Sequence, residues 1–225
     1  MTTQQFPKQL IHDPRHPERE QPQKCWSPDS PIPPRVRAFG YCLDFSALLP
    51  GDLILVSPER PSIIERSIRA TQGNGGYPPD DAQWTHAAVY VMDDVICEAG
   101  RSGVAITSIY KYIGNHKVRI RRNPNLTERE RWALAVYALS QNNYAYNFFD
   151  VLWLFLRSFN GFWTIDSKFK RKPKRAVYCS ELYADAHLKA TNAALGNQAF
   201  GEATPASLSQ DSLLQDVFAG WVAIN

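Results

Sequence analysis

The sequence predicts an α+β fold, a small antiparallel sheet flanked by helices, and three observations carry that prediction. Short runs of strand-forming residues recur between turn signals. Thr127 and Glu130 stand at capping-box spacing ahead of an apolar stretch. Late in the chain, Cys179 opens a stripe of apolar residues at helical spacing. With 225 residues, 44% of them hydrophobic, the chain can bury one substantial core and is too short to require two.

Half of the 16 prolines precede Val36, among charged and amide residues that bury too little apolar surface to offset their ordering entropy. Residues 1–36 are therefore expected to be a proline-rich flexible tail, and residues 37–225 the folded domain. Pro50-Gly51 is a turn signal, and Asp52 to Ser57 is the first expected core strand. Ile63 to Ala70 suits a short helix. Thr71 to Gln83, loaded with Gly, Pro and Asp, is expected to be loop.

Ala87 to Met92 and Val95 to Ala99 flank Asp93-Asp94 as the arms of a hairpin, and Val118 to Arg121 alternates like a half-exposed strand. After the capping box, Trp132, Ala135, Val136 and Leu139 fall on one helical face, the expected buried stripe. Phe148 to Leu156 is nearly all apolar but far shorter than the roughly 20 residues of a membrane span. It contains Asp150, and Arg157 follows, so it predicts a buried helix or a membrane-touching one. From Cys179, residues Leu182, Tyr183, Ala186 and Ala190 follow at i+3, i+4, i+7 and i+11.

The 25 basic and 22 acidic residues nearly balance, so no nucleic-acid partner is expected. Cys25, Cys42, Cys97 and Cys179 are widely spaced, with neither a zinc pattern nor the density of a disulfide scaffold. No metal and no cofactor are expected. The first residues lack the basic and apolar regions of a secretory signal, which predicts a cytoplasmic protein or one exported without a classical signal peptide.

A cysteine acts as a nucleophile only as thiolate, and a free thiol with a pKa of roughly 8.5 needs a base or a helix N-terminus to reach that state. Cys179 follows the basic Lys172-Pro-Lys-Arg175 and opens a helix, whose first amides also suit an oxyanion hole. His86, in Trp84-Thr-His-Ala-Ala-Val89, stands at the entrance to a strand, where an imidazole can be held still beside open space. Glu98 is a polar residue within an apolar strand and suits an orienting group for the base. Spacing alone leaves these residues open: the cysteine can be a small core residue, and Glu98 can pair with Arg101 at the surface. His12, His16, His116 and His187 are expected to be structural or solvated.

Pro50-Gly-Asp-Leu53, Trp84-Thr-His-Ala-Ala-Val89, Cys97-Glu-Ala-Gly100 with Gly103-Val104, and Tyr178-Cys-Ser-Glu-Leu182 occur in one order. This resembles the permuted NlpC-type papain-like hydrolases, the YiiX/YebB-like group, over about residues 48–218. The resemblance implies a permuted papain-like fold with Cys179 as nucleophile, His86 as base and Glu98 as third residue. Tyr178 and Trp84 are the substrate contacts it suggests, and a peptide or peptidoglycan-like amide is the substrate class. Two alternatives stand beside it. One is acyl transfer on lipids at a membrane surface, for which the six basic residues between Lys168 and Arg175 beside the apolar Phe148 segment suit a peripheral contact. The other is a non-catalytic binding module.

The hairpin constrains the triad. Directly opposite residues in an antiparallel pair have a constant sum and share a face. A two-residue Asp93-Asp94 turn fixes that sum at about 187, which sends Glu98 to the face away from His86. The expectation is therefore a register slipped by three, to a sum of about 184, that sets Glu98 directly across from His86.

Overall fold

The computed structural model describes residues 32–100, 103–141, 179–195 and 203–224. The expected tail up to Pro31, the Phe148 segment, the basic run from Lys168 to Arg175, Arg101 and Tyr178 lie outside the described residues. The folded part starts before Val36: α1 (Pro34–Phe39) buries that side chain completely and ends on Gly40, at φ 82°, a left-handed cap that suits glycine.

The strands are β1 (Tyr41–Leu43), β2 (Leu53–Pro58), β3 (His86–Met92), β4 (Val95–Gly100), β5 (Gly103–Ser108), β6 (His116–Arg122), β7 (Gln215–Val217) and β8 (Trp221–Ala223). Six of them form one antiparallel sheet in the order β5-β4-β3-β2-β6-β7, while β1 and β8 form a separate ribbon. β2 is central and wholly buried because both of its faces are covered. Ile54, Val56, Ala88, Ile96 and Ile120 pack on one side with α1, Trp221 and Val222. Leu53, Leu55, Ala87, Val89 and Cys97 pack on the other, against the helices α4 (Glu128–Ser140) and α5 (Cys179–Thr191). This is the expected α+β arrangement of an antiparallel sheet flanked by helices, with six strands in the main sheet.

Three local expectations are corrected. Thr71 to Gln83 is not loop: α2 (Ile63–Asn74) runs on through Gly73, and α3 (Pro79–Ala82) follows. A glycine inside a helix costs about 1 kcal/mol. The Ser62–Glu65 capping box and the buried side chain of Gln72, bonded to three backbone groups, offset it.

In α4 the Thr127–Glu130 capping box is present, yet the buried face is Leu134, Ala135 and Ala138, whereas Trp132 and Val136 are 39% and 56% exposed. Every residue from Trp132 to Leu139 is apolar or aromatic, so hydrophobicity does not mark a face. The small alanines do, because they let the helix approach the sheet closely enough for Cys97 Sγ to meet Ala138 O at 3.3 Å.

The hairpin slips by one residue, not three. Met92 pairs with Val95 across the Asp93-Asp94 turn, Val91 is left over, and Tyr90↔Ile96, Val89↔Cys97 and Ala88↔Glu98 follow at a sum one lower. Since side chains alternate with period two, one bulged residue is enough to bring Glu98 to the face of His86. Glu98 lies directly across from Ala88 and diagonally from His86. That diagonal, roughly 7–8 Å between Cα atoms, is within reach of two long side chains.

Candidate active site

His86 begins β3 opposite Val56, on the strand buried at the centre of the sheet. The segment before it is fixed by backbone and side-chain bonds: Thr85 N–H donates to Val56 O at 3.0 Å, and Gln72 Nε2 donates to Trp84 O at 2.8 Å and to Ala82 O at 2.9 Å. The ring is 23% exposed, so one side of it meets solvent. Its Nε2 lies 2.7 Å from Glu98 Oε2, which leaves Nδ1 for the hydrogen bond that the ring makes with the Cys179 sulfur.

Glu98 is only 3% exposed, yet four donors surround it. Besides His86, Thr107 Oγ1 donates to Oε1 and Tyr112 OH to Oε2, each at 2.5 Å, and Lys111 Nζ donates to Oε1. Burial alone would raise the carboxyl pKa. The hydrogen bond and charge of His86, with the bonds from Lys111 and Thr107, hold it instead well below the usual carboxylate range. Lys111 also stands 4.8 Å from the centre of the Tyr112 ring, a cation–π contact, so it is fixed by two neighbours.

Cys179 is the first residue of α5 and is 8% exposed. Burial favours the neutral thiol, but the positive charge and hydrogen bond of His86, with the backbone N–H groups of Ala87 and Ser180 donating to the sulfur, bring its pKa below that of an ordinary thiol. In the imidazole the balance is reciprocal. Burial pulls its pKa down, while the charge and hydrogen bond of Cys179 and then those of Glu98 carry it up to about 10. Each group thus favours the charged form of the other, the thiolate of Cys179 and the imidazolium of His86. Cys97 shows the contrast: burial, with the charge of Glu98 beside it, pushes that thiol up to about 12.

The structure thus brings Cys179, His86 and Glu98 together. Trp84 is a correction: it is fully buried among Leu53, Leu55 and Ala87, where it supports the segment before His86 and offers no surface to a substrate. His187 is buried and structural, bonded to Asn123 and to Ala193 O. His116 stands at the start of β6, edge-on to Tyr112 at 5.1 Å, and burial lowers its pKa to about 4. Sequence reasoning missed Thr107, Lys111, Tyr112 and Gln72. Each reaches the site through long-range packing, and none is part of a local pattern. Among the described residues, no group of three or more His, Cys, Asp or Glu side chains is gathered to hold a metal ion, and no helix is long and apolar enough to cross a membrane.

No protein-family model and no curated protein matches the sequence. Among solved structures, the chain is similar to the crystal structure of metalloprotein YiiX from Escherichia coli O157:H7, DUF1105, with a TM-score of 0.53 and 17% identity over 76% of this chain and 96% of that one. At that identity the likeness is one of fold, and the fold of this chain is YiiX-like.

Proposed function

We propose that this chain is a cysteine hydrolase of the permuted papain-like kind, which cleaves an amide or isopeptide bond of a peptide, peptidoglycan-type peptides included. The observation that carries the reading is the placement of Cys179, at a helix N-terminus, against His86, whose far nitrogen is 2.7 Å from the buried carboxylate of Glu98. A core cysteine gains nothing from such an arrangement, whereas a nucleophile needs it.

In this reading the Cys179 thiolate attacks the scissile carbonyl and the carbonyl π electrons move to oxygen, where α5 first-turn amides are placed to stabilise the charge. The intermediate collapses as the C–N bond breaks, and the His86 imidazolium gives its proton to the leaving amine. His86, now neutral, takes a proton from water as the water attacks the thioester. The acid product leaves with the thiolate restored and the proton back on His86. Glu98 keeps the ring oriented and stabilises its charged form without taking the proton.

The neighbour is described as a metalloprotein, but the side chains of this chain's candidate site do not fit a metal. Both oxygens of Glu98 are already bonded to donors, among them the Lys111 ammonium, and both His86 nitrogens are committed.

The test is iodoacetamide labelling across pH, followed by product profiling on a peptidoglycan digest, a peptide library and a lipid extract. Rapid labelling with a midpoint below an ordinary thiol, lost in Cys179→Ala and slowed in His86→Ala, is expected together with release of peptide products. Rapid labelling that survives in Cys179→Ala would sink the assignment, and turnover of the lipid extract alone would replace peptide by lipid chemistry.

A further inference from the structure

The nucleophile and the base come from elements far apart in sequence, and one hydrogen-bonded path joins them through the short helix α6 (Pro205–Gln210). Ser180, next to the nucleophile and 3% exposed, donates its Oγ proton to Ala203 O at 2.8 Å. Thr204 then caps α6 by accepting from Ser207 N–H at 3.0 Å, and Ala206 N–H donates to Gln72 Oε1 at 2.9 Å. The other end of that amide donates to Ala82 O and Trp84 O, two residues before His86. α6 is anchored again at its far end, where Ser209 Oγ donates to Asp81 Oδ1 and Gln210 Nε2 donates to Asp81 Oδ2 at 3.0 Å.

Gln72 is 4% exposed, and its three bonds leave no choice of side chain. Two carbonyls face its nitrogen and one N–H faces its oxygen, and among side chains of that length only a carboxamide presents two donors and an acceptor together. An apolar residue would remove these three buried hydrogen bonds, and a glutamate would set an acceptor against two carbonyls.

We propose that Gln72 and Ser180, acting through α6, are positioning residues that fix the separation of the Cys179 sulfur from the His86 ring. The proposal rests on the cysteine-hydrolase reading. Neither side chain meets the reacting atoms. What they set is the depth of the ion pair, because the mutual stabilisation of thiolate and imidazolium falls steeply as the two charges draw apart.

The experiment measures iodoacetamide labelling of Cys179 against pH in the full chain for wild type, Gln72→Met, Ser180→Ala, the double variant and Ile120→Val. The last trims the core beneath Trp221 and Val222, outside the α6 path, and reports what loss of stability alone does to the profile. The labelling midpoint is expected to rise by about one unit in each single variant, equivalent to roughly tenfold slower labelling at pH values below the wild-type midpoint, and to stay put in Ile120→Val. The double variant should be no worse than the more severe single one, since both cut one path. A wild-type midpoint retained in Gln72→Met and Ser180→Ala overturns the proposal, and additive shifts overturn the single path. Should Gln72→Met fail to fold, Ser180→Ala decides alone, since it keeps the backbone N–H that reaches the sulfur. An ordinary-thiol midpoint in the wild type itself would overturn the hydrolase reading and this proposal together. A low wild-type midpoint with unmoved variants would overturn this proposal only.

Discussion

Cys179 and His86 shift each other's titration in opposite directions, and this fixes how stability follows pH. The unfolded chain holds one proton on these two groups between the ordinary values of 6.5 and 9.0, and so does the folded pair. The raised His86 contributes stability that is complete below 6.5 and is lost as pH rises through about 10, whereas the lowered Cys179 contributes stability that is complete above 9.0 and is lost on the acid side. Their slopes cancel in the middle, so the pair gives a plateau with a fall on either side. Glu98, also lowered, adds a further loss as pH drops below its ordinary 4.5. Glu98→Gln should lower the upper limb of the His86 titration from about 10, raise the Cys179 labelling midpoint and reduce turnover on the order of 10²-fold. Its amide nitrogen also meets groups that are themselves donors, a penalty of about 1–3 kcal/mol. Labelling profiles and urea titrations on the same variant check both effects, and an unchanged profile would remove Glu98 from the triad.

At the scale of elements, what the sequence encodes locally was legible. The hairpin about Asp93-Asp94, the capping box at Thr127 and the helix opening at Cys179 are each written within a few neighbouring residues. What depends on a partner was not. The face of α4 is chosen by Ala135 and Ala138 meeting the sheet, and the register of β3 against β4 by a leftover Val91, neither of which periodicity marks. The site divides the same way: Cys179, His86 and Glu98 are open on spacing alone and are singled out by the motifs that carry the resemblance, whereas Thr107 and Lys111 look like any surface residues until β5 and the turn after it bring them to Glu98. For α4 this gives a stability prediction. Thr127→Ala should cost about 1 kcal/mol through the lost cap. Val136→Lys on the exposed face should stay within about 0.5 kcal/mol, and Ala138→Leu should cost about 1–3 kcal/mol by overpacking. Urea unfolding of the three variants checks the order, and a large loss in Val136→Lys would contradict the observed face.

Across the whole molecule, the ribbon joins the first described strand to the last: Tyr41 pairs with Ala223 and Leu43 with Trp221. The sheet is likewise extended at β6 by β7. At a synthesis rate of about 5–20 residues per second, β1 waits roughly 10–40 s for its partner, and the apolar side of the sheet that Trp221 and Val222 cover stays open until then. The base and its carboxylate sit on a hairpin that is synthesised early, while the sulfur arrives with α5 and the gap is set only after α6 follows. A ribosome-tethered chain ending after Leu195, extended by a linker that clears the exit tunnel, should therefore label at the rate of an ordinary thiol, and one extended past Ala223 at the fast rate. Fast labelling of the shorter chain would show that α5 needs no later segment. On the proposed reading the connectivity works as a clock: the growing chain passes through a long interval in which it has a base, an orienting carboxylate and no activated nucleophile, and becomes reactive only once α5 and α6 have joined the sheet.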